Sequence, residues 1–167
     1  MSNLQLRLER LYLKDSSFEA PGAPAVFTQQ WNPNFQVDIN STVNVLSENR
    51  VEVVLMATID AKLPELKEGA QTAFIVEVQQ AGVFFIEGGD EDIRRRALGT
   101  ACPNMLFPYV RAAIDDLVVR GSFPAIQLAP VNFDAVFQQA EQQRAAQSGG
   151  ADSAGDEPAG PTGEVPH

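Results

Sequence analysis

Histidine and cysteine are almost absent from this sequence. The one histidine, His167, is the last residue, and the one cysteine, Cys102, has neither a histidine nor a second cysteine to act with. A catalytic triad needs a positioned imidazole, a zinc site needs several such ligands, and a disulfide needs two thiols. We interpret Cys102 as a small buried residue. We therefore expect a protein that is not an enzyme and that holds no metal and no cofactor.

Long hydrophobic runs and positive charges are also scarce. Arg7, Glu9 and Arg10 interrupt the leucines near the N-terminus, and no segment approaches the ~20 apolar residues of a membrane span. The 12 Lys and Arg residues are outnumbered by 22 Asp and Glu residues, which gives a formal net charge of -10. An acidic surface repels phosphate backbones and anionic lipids. We expect a cytoplasmic protein with no direct membrane insertion and no nucleic-acid partner.

The rest of the composition is that of one domain followed by a tail. With 167 residues, of which 44% are hydrophobic, the chain is long enough to bury a core. Residues 148–167 are mostly Gly, Ala, Pro, Ser, Thr and acids, without one aromatic residue. This composition predicts a folded domain over residues 1–147 and a disordered acidic tail over residues 148–167.

Alternating apolar and polar residues predict a meander of three long strands. The clearest alternation runs from Val51 to Leu63, and a partner strand from Phe35 to Val45 is joined to it by a turn at residues 47–49. A third strand runs from about Gln71 to Ile86 and follows a loop at residues 64–69. These three strands are expected to be antiparallel.

A fourth strand is predicted at the N-terminus. Leucines occupy one parity from Leu4 to Leu8 and the other parity at Leu11 and Leu13, which indicates a bulge near Glu9. Residues 18–34, rich in proline and aromatic residues, then form a long crossover to the second strand.

Helices follow the strands. Asp90 is a candidate N-cap, and Arg94, Arg95 and Arg96 after it are interpreted as a solvated helical face paired with the acids at 90–92. A long helix is predicted over residues 103–120, with Gly121 as its stop. A last helix begins after the N-cap Asn132, carries Phe133 and Phe137 on its inner side and fades before residue 148. The fold class is therefore α+β, with a four-stranded antiparallel sheet.

The predicted elements leave apolar surface uncovered. A 13-residue strand spans roughly 43 Å, whereas the helix over residues 103–120 reaches only about 27 Å. Val54, Met56 and Ile75 fall on the sheet face opposite the main core. We expect closed self-association, as a dimer or a dimer of dimers, to cover these faces. The alternative is that the loops and the last helix cover them within one chain.

Acidic residues on the strands allow two interpretations. Glu77 follows Ile75 at a spacing of two, so an acid and an aliphatic residue share one face, and Asp15 and Glu19 can extend this pair into a protein-docking patch. The alternative is an enzyme that uses Asp60 or Glu77 in a pocket. Because no histidine is available beside them, we favour the docking patch, and we interpret strand acids such as Glu52 as solvated.

The aromatic residues of the crossover also allow two interpretations. Phe18, Phe27 and Trp31 lie outside the predicted elements and can simply fix the crossover in place. They can instead line a groove together with Phe133 and Phe137 of the last helix. Such a groove would accept an extended apolar peptide with little sequence preference and would select non-native chains.

Five sequence blocks resemble the SecB-type bacterial protein-export chaperones. They comprise residues 14–21 (KDSSFEAP), 77–84 (EVQQAGVF), 102–109 (CPNMLFPY), 120–124 (RGSFP) and 128–134 (LAPVNFD). The resemblance extends in unbroken order from about Leu4 to Gln143.

The resemblance implies a cytoplasmic homotetramer, a dimer of dimers, that holds unfolded secretory preproteins without ATP and hands them to the SecA ATPase. The acidic docking surface for SecA would correspond to Asp15, Glu19, Ile75 and Glu77. The preprotein groove would include Trp31, Phe133 and Phe137. The family's tail also contacts the zinc-bearing end of SecA, but residues 148–167 match no motif of that tail. Relatives linked to antitoxins share the fold and differ in client, and they remain an alternative.

Overall fold

Four long antiparallel strands form a single sheet in the computed structural model, which describes residues 3–64 and 71–149. The strand order is β1-β4-β3-β2, so the meander of β2, β3 and β4 is confirmed and β1 adds to β4. The strands are β1 (Gln5–Glu19), β2 (Asn34–Ser47), β3 (Arg50–Leu63) and β4 (Gln71–Glu87). The helices are α1 (Glu91–Gly99), α2 (Ala101–Arg120) and α3 (Phe133–Gly149). The predicted α+β class is confirmed.

Two predicted segments fall largely outside the described residues. Only Pro64 of the predicted loop at 64–69 is described. Of the predicted tail, only Ser148 and Gly149 are described, and both belong to α3, which therefore runs two residues past its predicted end.

The alternation in β3 decides which side of the sheet is buried. Every odd residue from Val51 to Leu63 is at most 5% exposed. These residues lie on the side of the sheet that carries α2, here called the helix side, and the even residues lie on the opposite, outer side. The burial pattern of β3 therefore follows from the hydrophobic alternation in the sequence.

The first strand is longer than predicted and has two irregularities. Its register with β4 shifts between Leu8 and Arg10, as the leucine parity predicted, and again between Leu13 and Asp15. The strand continues to Glu19, so Phe18 belongs to β1 and not to the crossover. Because of the second shift, Asp15 and Glu19 lie on the outer side of the sheet.

Helix α2 packs on the two central strands, and its apolar residues cover β3 and β4. It begins at Ala101, two residues before the predicted start, and Cys102 is fully buried in the core. Burial raises the pKa of the Cys102 thiol to about 12, which agrees with its interpretation as a buried small residue. The buried residues of α2 are Cys102, Pro103, Leu106, Phe107, Val110, Ile114 and Val118.

The end of α2 depends on a glycine for steric reasons. The Gly121 N–H donates to the Leu117 and Val118 carbonyls, but Gly121 has an ordinary φ of -80°, and Ser122 adopts the left-handed φ of 67°. A Cβ atom on Gly121 would overlap the Phe18 ring. Close packing against β1 therefore requires a glycine at this position.

Both predicted helix caps are present. Asp90 Oδ1 accepts a hydrogen bond from the Ile93 N–H at 2.8 Å, and Asn132 Oδ1 accepts one from the Ala135 N–H at 3.1 Å. The two caps satisfy backbone donors at the starts of α1 and α3.

One strand acid, Glu52, is not solvated as predicted. It is 8% exposed on the outer side and accepts hydrogen bonds from Tyr12, from Lys14 Nζ at 2.9 Å and from Asn44 Nδ2 at 2.9 Å. These bonds lower the pKa of Glu52 to about 2, with the Tyr12 hydroxyl as the first cause. The network joins β1 and β2 to β3, and it crosses β4 where Ala81 is fully buried.

The outer side exposes less apolar surface than the sequence predicted. Val54 is only 4% exposed, whereas Met56 and Ile75 are half-buried. Tyr12, whose pKa burial and the bond to Glu52 raise to about 12, is also half-buried here. Val54 therefore provides no apolar surface that self-association would need to cover.

Replacing the Glu52 carboxylate should destabilise the protein in a pH-dependent way. A lowered folded-state pKa contributes stability that is complete above the ordinary glutamate value near 4.5 and is lost as the pH falls toward 2. We predict that Glu52→Gln lowers the free energy of unfolding in urea at pH 7 and that its difference from the parent protein shrinks between pH 4.5 and 3. Glu48→Gln, in the exposed β2–β3 turn, is the matched control. An equal effect of Glu52→Gln on the free energy of unfolding at pH 7 and at pH 3 would contradict the assignment.

Candidate functional site

On the helix side, the edge strand β2 is left uncovered because α2 packs on β3 and β4 and does not reach it. On β2 the residues that share this side are Phe35, Val37, Ile39, Ser41, Val43 and Val45. Phe35 and Val37 are 41% and 40% exposed, whereas their β3 partners Ala61 and Ile59 are fully buried. One strand of the sheet therefore presents an apolar stripe that the rest of the described chain leaves open.

A first cleft lies beside Ile39 and Ser41, in the middle of this stripe, and we call it the α3 cleft. It has a volume of about 230 Å³ and is lined on one wall by Phe133, Val136 and Phe137 of α3. The floor includes Ile39 of β2, and Gly99, the last residue of α1, also lines the cleft. The full lining comprises Ile39, Asn40, Ser41, Gly99, Val131, Phe133, Val136, Phe137 and Ala140.

Local packing sets the position of α3 over this cleft. Phe133 is buried and contacts Phe107 of α2 edge to face at 6.1 Å between ring centroids. The half-buried Phe137 packs so closely on Gly99 that a Cβ atom there would lie 2.6 Å from its ring. The predicted inner residues of the last helix, Phe133 and Phe137, therefore do line a cleft.

Two ion pairs hold α3 against α1. Arg95 Nη2 lies 3.1 Å from Glu141 Oε2 and 2.8 Å from Asp92 Oδ1, and Arg96 Nη2 lies 3.3 Å from Asp134 Oδ1. The prediction that the arginine run pairs with the acids at 90–92 thus holds for Arg95 and Asp92 but omits the pairs with α3. Sequence spacing cannot detect pairs formed between different helices.

A second cleft lies near the Phe35 end of the stripe, where Trp31 and Phe35 both pack against the Phe74 ring, and we call it the Trp31 cleft. It has a volume of about 160 Å³ and is built on the crossover, where a short 3-10 turn (Ala25–Thr28) buries Val26. The Trp31 ring stacks on Phe74 at 6.2 Å and lies 5.3 Å from the Phe123 ring. Its lining comprises Val26, Phe27, Gln29, Trp31, Ser122, Phe123 and Pro124.

The aromatic residues that the sequence placed in the crossover occupy two kinds of position. Phe18 stacks on Phe74 at 5.7 Å and helps to fix the crossover on the sheet, whereas Phe27 is 48% exposed and lines the Trp31 cleft. Trp31 does not share a cleft with Phe133 and Phe137. The two clefts are separate. Phe35, near the Trp31 cleft, and Ile39, in the α3 cleft, are about 13 Å apart along β2.

The segment between α2 and α3 connects the two clefts along the chain. Phe123 lines the Trp31 cleft and Val131 lines the α3 cleft. Between them, the backbone N–H groups of Ile126 and Gln127 donate to Asp115 Oδ1 of α2 at 2.9 and 3.1 Å. This contact of Asp115 with a segment 11 residues away is not visible as a sequence motif, and it fixes the segment that connects the clefts.

The acidic residues expected to form a docking patch come together on the outer side. Glu19 pairs in register with Ile75, and Ser17 between Asp15 and Glu19 pairs with Glu77. Asp15 and Glu19 are exposed, and Ile75 and Glu77 are half-buried. We call these four residues the acidic patch. It lies on the opposite side of the sheet from both clefts.

The site residues therefore form two surfaces that share one sheet. The clefts and the β2 stripe can bind apolar side chains of an extended chain, and the acidic patch can bind a basic protein surface. Within the part of the chain that the structure describes, no helix is long and apolar enough to cross a membrane.

Comparisons with known proteins identify relatives over nearly all of the described chain. The family model for preprotein translocase subunit SecB matches residues 1–144. The chain is 50% identical over 139 residues to the protein-export protein SecB of Hahella chejuensis, which covers 83% of this chain and 84% of that one. The SecB of Marinobacter nauticus is 49% identical over 145 residues, covering 85% of each chain.

A solved structure has a similar fold. It is a SecB-like chaperone of Mycobacterium tuberculosis in complex with a peptide from an antitoxin. The TM-score is 0.61 at 16% sequence identity, covering 75% of this chain and 90% of the other. At this identity the likeness concerns the fold alone.

Proposed function

This chain is a protein-export chaperone of the SecB family, and we propose that it holds unfolded preproteins in the cytoplasm without ATP and delivers them to SecA. The observation that carries this proposal is the open apolar stripe of β2 between the α3 cleft and the Trp31 cleft. A folded protein buries most of its large apolar side chains, whereas a non-native chain exposes several in succession and can place them along such a stripe. The function thus needs binding and no chemical step.

Selective binding to unfolded chains is sufficient for holding. A ligand that binds the unfolded state and not the native state lowers the free energy of the unfolded state, and no nucleotide is required. Each cleft is small, at about 230 and 160 Å³, so each contact is weak. A client that occupies both clefts, on several copies of the chain, gains affinity through effective concentration.

The acidic patch supports the delivery step. Asp15 and Glu19 are exposed on the outer side, so a basic partner can dock there while a client occupies the helix side. Exposed charges of this kind raise the association rate and make binding sensitive to salt. We infer that SecA docks on this patch.

Self-association is supported by the exposed side of α2. Met105 and Tyr109, four residues apart on one helix face, are 41% and 47% exposed, and Leu13 of β1 is 52% exposed. We infer a homotetramer, a dimer of dimers, in which α2 contributes to the contact between copies.

The stripe predicts a difference between two neighbouring residues of β2. Val37 lies on the helix side, and Gln36 lies on the outer side. We predict that Val37→Asp weakens binding of an unfolded preprotein about tenfold, or ~1.4 kcal/mol, because a client would bury an unpaired charge. Gln36→Asp, which is also exposed on the same strand, is the control. The assay measures how far stoichiometric protein delays the refolding of a denatured preprotein without nucleotide.

Several outcomes of this assay would contradict the proposal. The unmodified protein should delay the preprotein more than its mature form, because the mature form folds faster and leaves less time for capture. A protein that delays neither form, or one in which both variants lose binding equally, does not hold clients through the stripe.

Charge reversal on the acidic patch should separate the two binding functions. We predict that Asp15→Lys or Glu77→Lys weakens SecA binding about tenfold at low salt and leaves client binding unchanged, because the patch and the clefts lie on opposite sides of the sheet. Glu87→Lys is the control, since Glu87 lies at the other end of β4, roughly 33 Å from Glu77. Calorimetry or biosensor titration with SecA at two salt concentrations measures the effect. Unchanged SecA affinity would refute the docking assignment.

The exposed side of α2 predicts the oligomeric state. We expect light scattering at micromolar concentration to give about four times the 18.1 kDa of one chain. Tyr109→Asp should produce smaller species, because it introduces a charge into the proposed contact. Gln139→Asp, on an exposed face of α3, should leave the mass unchanged. A monomer of the unmodified protein would overturn the proposed assembly.

A further inference from the structure

A basic cleft, separate from the two apolar clefts, lies where α1 meets the end of α3. It has a volume of about 570 Å³ and contains three guanidinium groups and one carboxylate in its lining. The lining residues are Gly89, Glu91, Arg94, Arg95, Leu98 and Arg144. We call it the Arg cleft. A concentration of arginines is unusual in a chain with a formal net charge of -10.

The charges of the Arg cleft are incompletely paired. Arg95 is occupied by Asp92 and Glu141, although its buried Nε has no hydrogen-bond partner among the described residues. Among the described residues, the Arg94 side chain donates only to the Glu48 carbonyl, at 3.4 Å. Arg144 is exposed, and within residues 3–64 and 71–149 neither it nor Arg94 forms an ion pair. Two guanidinium groups are therefore available to an anionic segment.

The chain itself supplies such a segment directly after α3. Residues 150–167 contain Asp152, Asp156, Glu157 and Glu164 and no Lys or Arg. We propose that the acidic segment of residues 150–157 docks in the Arg cleft of the same chain. Its carboxylates would pair with Arg94 and Arg144.

The length of the segment allows this contact. Arg144 lies five residues before Gly149, or about 7.5 Å along the helix axis. The seven residues from Gly149 to Asp156 can reach back up to roughly 25 Å when extended. Tethering turns the encounter into an intramolecular one at an effective concentration in the millimolar range. Weak individual ion pairs therefore suffice, and the docking is reversible and sensitive to salt.

Docking would connect two helices that otherwise share few contacts. Arg94 belongs to α1 and Arg144 to α3, so one acidic segment bound to both adds a bridge to the Arg95–Glu141 and Arg96–Asp134 pairs. Because α3 forms a wall of the α3 cleft, the docked segment would hold that wall in place. The docked segment would therefore affect the α3 cleft without lying inside it.

A paramagnetic label on the segment tests the proposal in the full chain. Cys102 is fully buried, so a nitroxide attached to Ser153→Cys labels one position. We expect the methyl signals of Ile93 and Leu98 on α1 to lose most of their intensity at low salt and to recover it at 0.5 M salt, roughly where screening shortens to a few ångströms. The signals should also recover in the labelled Arg94→Glu, Arg144→Glu variant. Arg120→Glu, at the exposed end of α2, is the control and should leave the loss unchanged.

A charge swap separates docking from simple proximity. Asp152→Lys, Asp156→Lys and Glu157→Lys together should abolish the broadening, and combining them with Arg94→Glu and Arg144→Glu should restore it. Failure of the swap to restore it, or broadening that persists in high salt, would overturn the proposal. Circular dichroism on each variant confirms that the fold is kept. Client and SecA binding are separate measurements, so failure of this proposal leaves the proposed function untouched.

Discussion

The organisation of this molecule depends on how much of a four-stranded sheet one helix can cover. Three strand spacings make the sheet about 14 Å wide, and a helix with its side chains is roughly 10–12 Å across. Helix α2 covers β3 and β4, where the odd residues of β3 are almost fully buried. The helix side of β2 stays open. Incomplete cover of the sheet by α2 thus leaves the apolar stripe of β2 exposed, and no special residue chemistry is needed to produce it.

On the helix side, the two clefts flank Phe35 and Val37 of the stripe, and each cleft is built on the buried core. The Trp31 cleft is built on the aromatic cluster around Phe74 and Phe123, and the α3 cleft depends on Phe137 packed against Gly99. Between them, Asp115 fixes the connecting segment through two backbone N–H groups. The clefts are therefore supported by the rigid core, while the stripe itself is exposed on the helix side. This combination fits a surface that binds many extended chains by their apolar side chains and not by their sequence.

Local patterns predicted the elements, and long-range packing accounts for what they missed. The alternation in β3, the parity change near Glu9 and the caps Asp90 and Asn132 are visible along the chain, and the structure agrees with each. The second register shift after Leu13 leaves no parity signal, because polar residues surround it, and the crossover was predicted to begin at Phe18, whereas β1 ends at Glu19. The predicted solvation of Glu52 was wrong for a similar reason. Its partners Tyr12 and Asn44 lie on two other strands, and their proximity depends on the register of the whole sheet.

The candidate site shows the same division. The spacing of Ile75 and Glu77 placed them on one face, and the register adds Asp15 and Glu19 beside them. The grouping of Trp31 with Phe133 and Phe137 could not be judged from the sequence, since the distance between the crossover and α3 depends on tertiary packing.

The pleat of β2 has one more consequence. Side chains of a strand alternate between its faces, so the insertion or loss of one residue in β2 would turn Val37 and its apolar neighbours to the outer side and bring Gln36 and its polar neighbours onto the helix side. The length of this strand is thus more tightly constrained than the identity of any one of its exposed residues.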